Sequence, residues 1–132
     1  MKLIDKLAWI EIKDNSILLT KSYGKNKFYI PGGKREIGET DEQALIREIR
    51  EELDVNLDES TLKFVGIFED QAHGQSEEIF VKMTCYSADY FGELSASSEI
   101  EKIEWLKYSD KDRVVGVDKL IFDHLKQNEL LH

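Results

Sequence analysis

Glu48, Glu51 and Glu52, with Arg47 beside them, form the densest run of chemically capable side chains in the sequence. On a helix, residues three and four apart share a face, so Glu48 stands one turn before both Glu51 and Glu52 and three carboxylates converge. Like charges at that spacing destabilise an isolated helix, and the apolar Ala44, Leu45, Ile49 and Leu53 keep part of the same helix packed rather than solvated. A counter-charge is expected. Hard oxygen ligands suit Mg²⁺, with Mn²⁺ as an alternative, and such ions keep waters and engage substrate phosphates alongside a few carboxylates. That composition points to phosphate chemistry. Glu is also a good helix former, so on the helix alone a plainly solvated acidic face competes with the metal reading.

The segment upstream shifts the balance. Pro31-Gly32-Gly33 places two glycines where backbone can approach a ligand closely, Gly38 adds a second flexible point, and Glu39 puts another acid just before the helix. Gly33 to Val55, GKREIGETDEQALIREIREELDV, resembles the Nudix box. Gly33, Glu39, Arg47, Glu48, Ile49, Glu51, Glu52 and Val55 fall on its fixed positions; Asp54 stands where the pattern has glycine. That glycine follows the helix and permits a left-handed turn, a conformation Asp is among the few other residues to tolerate. The likeness extends to ILLTKSYGKNKFYIPGGK before the box and GELSASSEIEKIEWL after it.

Membership would imply an α/β fold, the Nudix-type α/β/α sandwich with a mixed β-sheet, and hydrolysis of a diphosphate linkage in a nucleoside diphosphate joined to another group, with divalent cations. By resemblance Glu51 and Glu52 are metal ligands, Glu48 is a further ligand or the base that takes a proton from water, and the backbone carbonyl of Gly32 or Gly33 adds a metal contact. Arg47 stays protonated and cannot serve as a base; it orients a glutamate and balances charge, or forms an ordinary helix-surface pair with Glu51. Glu39 is expected to hold the loop against the helix. A later acid often completes the site in this family, and Glu99 fits best, with Glu77 and Glu78 as rivals.

Candidate substrate contacts are Lys34, Arg35, Phe28 and Asp118. Lys34 and Arg35 follow the glycines and can meet phosphates, or serve as solvated surface charge. Phe28 and Tyr29 alternate faces on a short strand, so one can stack on a base, although packing of both in the core is the simpler reading. Asp118 opens the last helix, where MutT-like relatives place a side chain that reads the base edge; an N-cap role competes and is favoured. His73 lies in a polar loop and reads as surface.

These residues need a scaffold. Leu7–Ile12 and Ser16–Thr20 flank the turn pair Asp14-Asn15 and read as a hairpin, 21–27 as a loop, and 28–30 as a short strand stopped by Pro31. Thr40 and Gln43 form a capping-box pattern that starts a helix ending near Asp54. Stretches 62–69 and 78–90 read as strands joined by the polar loop 70–76, 92–98 as a loop, and 103–106 as a short strand. A helix over 118–127 turns Leu120, Ile121 and Leu125 inward.

With 132 residues, one proline, no repeat and no linker, a single domain spanning 1–132 is expected, and 41% hydrophobic content suffices for one core. A formal charge of −9 disfavours polymeric nucleic acid as a partner. The longest apolar runs are a few residues, against roughly 20 needed to span a bilayer, so no membrane association is expected. Asp5 and Lys6 interrupt any apolar signal segment, and Cys85, the only cysteine, cannot form an internal disulfide, which together point to a cytoplasmic setting. The expected partner is a small-molecule nucleotide, and the resemblance is compatible with a homodimer. The leading function is a MutT-like pyrophosphohydrolase acting on nucleoside triphosphates or similar derivatives. Cleavage of ADP-ribose or dinucleoside polyphosphates is the alternative within enzymes; ADP-ribose-specific members tend to carry a proline after the box, whereas Pro31 precedes it. A non-catalytic nucleotide-sensing domain is the alternative outside them, disfavoured because every box glutamate is present.

Overall fold

In the computed structural model, which describes residues 2–72 and 78–132, nine strands and two α-helices follow one another along the chain. His73 and Glu77 lie outside the described residues. Strand β1 (Lys2–Trp9) runs parallel to β7 (Ile79–Ser87), which pairs antiparallel with β6 (Lys63–Gln71); on its other edge β1 takes β4 (Gly32–Lys34) antiparallel. This mixed four-stranded sheet has the order β4-β1-β7-β6. A second sheet, β2-β3-β9, joins β2 (Ile12–Lys13), β3 (Ser16–Ser22) and β9 (Ile100–Leu106). The pair β5 (Asn56–Leu57) and β8 (Tyr90–Phe91) closes the far end. Helices α1 (Asp41–Leu53) and α2 (Val117–Gln127) flank the sheets, giving the expected α/β/α sandwich. Among the described residues no helix is long and apolar enough to cross a membrane.

Alternation along β1 creates two cores. Leu7 and Trp9 face α1, where they pack with Leu18, Leu45, Ile49 and Leu53, while Ala8 and Ile10 join Phe28, Cys85, Ile121, Phe122 and Leu125 on the α2 side. Helix α1 begins as the capping box requires: the Thr40 hydroxyl accepts the Gln43 N–H at 3.2 Å, and Gln43 Oε1 accepts the Thr40 N–H at 3.0 Å. It ends on Asp54 in the left-handed region, φ 57° and ψ 35°, where the box pattern has glycine. A carboxylate there also faces the negative end of the helix dipole. Asp54→Gly is expected to raise stability by about 1 kcal/mol in thermal or urea unfolding with kcat/KM unchanged; a lower Tm would show that the cap is not strained.

Four expectations are corrected. The hairpin exists only between Ile12-Lys13 and Ser16-Ile17, around Asp14 and Asn15 with φ of 52° and 60°, because β1 and β3 belong to different sheets. Residues 28–30 form no strand: Tyr29 makes one isolated bridge to Thr20, and the strand starts after Pro31, at Gly32. The long second strand breaks into β7 and β8. On α2, Leu120 is exposed and Phe122 takes the inward position beside Ile121 and Leu125.

Candidate active site

Gly32 and Gly33 pair with Ala8 and Leu7 of β1, which brings the loop backbone against the end of α1. Glu52 is only 8% exposed, and its Oε1 accepts the Gly32 N–H at 3.1 Å. Glu48 lies against Gly33 so closely that a methyl group at that position would fall 2.3 Å from Glu48 Oε2. Glycine at 33 is thus what lets Glu48 reach its place. Glu99, in the turn immediately before β9, reaches the same spot. These three acids and both glycines line one pocket of about 550 Å³, together with Lys6, Lys25, Lys34, Tyr29 and Met83.

The acids disturb one another. Burial pushes the Glu52 carboxyl up to about 8, against the Gly32 N–H, and Glu99 and Glu48 push it the same way. Glu48 is also raised by burial, opposed by its Arg47 partner. Glu99 is held below the usual range by the Ser98 side chain, its own backbone N–H and the Glu52 carboxyl. Three oxygen-bearing groups that cannot all ionise comfortably suit a hard divalent cation. Among the described residues no three side chains close into a finished metal cage.

Arg47 is the organiser beside this pocket. Its guanidinium donates to both Glu39 oxygens at 2.7 and 2.8 Å, to Glu48 Oε1 at 2.8 Å and to the Lys34 carbonyl at 3.1 Å. Glu39, held at about 2 by Arg47 and the Glu36 N–H, thereby fastens the loop to the helix as expected. Glu51 lies outside the pocket lining, its side chain 54% exposed and only loosely bonded to Arg47 at 3.4 Å.

The substrate candidates divide. Lys34 lines the pocket, but Arg35 is committed elsewhere, to Asp5 at 3.0 Å, Asp41 at 2.5 Å and the Glu39 carbonyl. Phe28 is also outside the pocket: it is buried in the core beneath Arg113 and Lys102, and Tyr29 is the aromatic that reaches the lining. Asp118 is not the N-cap of α2, a place taken by Gly116. It is 1% exposed, behind the pocket wall, where Oδ2 accepts the Ile30 N–H at 3.1 Å and Oδ1 has no partner among the described residues. Glu78 is exposed and does not line the pocket. Tyr29 is one of the two aromatics considered for stacking, whereas the charged lining residues Lys6 and Lys25 carry no signal in the sequence that assigns them to the site.

Burial raises the Asp118 carboxyl to about 7. The folded state therefore holds a proton that the unfolded state releases near pH 4, and stability drains away as pH rises from there through about 7. Asp118→Asn keeps an acceptor for Ile30 and removes the charge. It is expected to be more stable than wild type at pH 8 by on the order of 2–4 kcal/mol in urea unfolding, and nearly equal at pH 4. An equal difference at both pH values would contradict the assignment.

Comparisons with known proteins converge on one family. Residues 7–124 match the NUDIX domain family model. The chain is 32% identical over 99 residues to the uncharacterized Nudix hydrolase YvcI of Bacillus subtilis, covering 74% of this chain and 61% of that protein. It is 32% identical over 118 residues to the ADP-ribose pyrophosphatase of Methanocaldococcus jannaschii, covering 86% and 64%. The chain thus spans about three-fifths of the length of these two relatives. A 50-residue stretch is 42% identical to the 8-oxo-dGTP diphosphatase of Escherichia coli, covering 35% of this chain and 39% of that protein. In fold, the chain is similar to the MutT protein of Methanosarcina mazei, with a TM-score of 0.77 at 14% identity over 97% of this chain and 96% of that one. The ORF135 protein of E. coli gives 0.75 at 24% identity over 96% and 91%.

Proposed function

The chain belongs to the Nudix family, and on that premise we propose that it hydrolyses a diphosphate linkage in a nucleoside triphosphate or related nucleoside-diphosphate derivative, using Mg²⁺ and an attacking water. The observation that carries this is the meeting of Glu48, Glu52 and Glu99 with Gly32 and Gly33 in a pocket also lined by Lys6, Lys25 and Lys34. Carboxylates to hold cations and ammonium groups to hold phosphates are the two halves that phosphoanhydride hydrolysis requires.

When bound, Mg²⁺ supplies charge neutralisation on the phosphoryl oxygens and lowers the pKa of water. The chain does the rest. Glu48, Glu52 and the Gly33 carbonyl would hold the cation, with Glu51, the least committed of the box acids, one turn from Glu48 as a further ligand. Glu48, Glu52 and Glu99 also provide the acceptor for the proton that the attacking water loses. Arg47 keeps Glu48 in place and does not touch the reacting atoms. Lys34 meets the phosphates, and Tyr29 offers an aromatic face toward the base. Asp118, behind Ile30 and outside the pocket lining, supports that wall by accepting the Ile30 N–H.

The MutT-like reading fits a pocket with three lysines for a polyphosphate. The match to an ADP-ribose pyrophosphatase over 118 residues favours ADP-ribose as the second reading. A panel of nucleoside triphosphates, oxidised-base analogues, ADP-ribose, dinucleoside polyphosphates and nucleotide sugars, with products separated by anion exchange, decides between them. Pyrophosphate plus monophosphate from a triphosphate supports the first; AMP plus ribose phosphate supports the second. No hydrolysis, with nucleotides still raising Tm, would indicate a sensor.

A further inference from the structure

We propose that Lys6 is a phosphate-binding residue of this pocket, contacting the polyphosphate of the nucleotide beside the carboxylate cluster; the assignment rests on the diphosphate-hydrolysis reading above. Side chains alternate along β1, so Leu7 and Trp9 enter the core under α1 while Ile4, Lys6 and Ala8 share the opposite face. Leu7 and Ala8 are fully buried, and between them and the strand's start the face opens into the pocket, at Ile4 and Lys6.

Packing does not account for a lysine here. Lys6 lies directly opposite Lys34 on β4 and Met83 on β7, and all three line the pocket. Two ammonium groups facing each other across an antiparallel pair are destabilising unless an anion stands near both. Among the described residues, the Lys6 side chain makes no hydrogen bond or ion pair, its backbone being paired in the sheet. Lys6 and Glu52 line the same pocket, and the Lys6 charge favours the ionised forms of both Glu52 and Asp118. An unpaired point charge with three donors, next to a second one and beside a hard-cation site, matches a chain of phosphates that bridges the two.

A competing role is that Lys6 only offsets the charge of Glu52. Lys6→Met and Lys6→Arg separate the two, read by KM and kcat for the best substrate, by calorimetric titration of inorganic pyrophosphate in Mg²⁺, and by Tm. Phosphate contact predicts that Lys6→Met raises KM and the pyrophosphate Kd by about tenfold or more, with a smaller change in kcat and no loss of Tm. Lys6→Arg restores most of the affinity. Wild-type pyrophosphate affinity in Lys6→Met would overturn the proposal, and a fall in kcat alone would establish the counter-charge role instead. If the wild type hydrolyses nothing on the panel, the functional reading fails separately. The pyrophosphate titration still decides Lys6, since binding lost in Lys6→Met upholds the contact and binding retained refutes it.

Discussion

Glu52→Gln is expected to lower Mg²⁺-dependent kcat/KM by on the order of a thousandfold, a loss of about 4 kcal/mol of transition-state stabilisation. The side chain is buried and faces Glu48 and Glu99, so no other acid can take its place without moving the helix. The fold should not suffer. Glutamine keeps an oxygen for the Gly32 N–H, which Glu52 accepts at 3.1 Å, and it removes a carboxyl that burial already disfavours in its charged form. Tm is therefore expected to stay level or rise while activity disappears. A variant that keeps activity within tenfold of wild type would take Glu52 out of the reaction.

Gly32→Ala should do the reverse and damage the fold first. A methyl group at 32 would stand 2.0 Å from the Leu7 carbonyl oxygen and 2.9 Å from the Ala8 Cα, both backbone atoms of the central strand, and the residue has φ +149°. Neither neighbour can rotate away. The expected cost is about 3 kcal/mol or more, with Tm lower by roughly 10 °C. Gly33→Ala provides the contrast, because its methyl group would meet only the Glu48 side chain, at 2.3 Å from Oε2. That carboxylate can swing aside, so this variant should fold and lose activity. Wild-type melting of Gly32→Ala would mean that β4 does not pair with β1 as described.

The contrast explains what was legible in the sequence. The capping box, the stripe Ala44-Leu45-Ile49-Leu53 and the left-handed Asp54 are local features, set by residues within one or two turns of each other, and the structure shows each of them. Sheet membership is not local. Asp14-Asn15 has the chemistry of a tight turn and makes one, yet the strands on either side part after two residues because β1 finds β7, some 75 positions away, and β3 finds β9. Phe28–Ile30 fails as a strand for a similar reason: pairing of this segment with β1 begins only at Gly32.

The site divides along the same line. The box named Glu48 and Glu52 by spacing, and Glu99 was reached by likeness to the family's later loop; the fold brings all three to one pocket. Arg35 has the same charge and nearly the same position as Lys34, but it stands just past the end of β4, where Asp5 and Asp41 claim it. Phe28 and Tyr29 part because the core takes Phe28 while Tyr29, held by its single bridge to Thr20, reaches the pocket. Asp118 was given the common role of its residue type at a helix start, whereas Gly116 makes the cap and leaves a buried acid behind Ile30. Lys6 is one of three charged residues on β1, and what sets it apart, Lys34 as its cross-strand neighbour, is visible only in the pairing.

The most direct test of a water attack directed by this cluster is hydrolysis of the best substrate in ¹⁸O-labelled water with Mg²⁺, followed by mass spectrometry of the products. The account predicts one ¹⁸O on a single phosphoryl product, formed by the wild type, abolished by chelation of the metal and by Glu52→Gln. Label incorporated equally by Glu52→Gln, or products formed at full rate without a divalent cation, would contradict it.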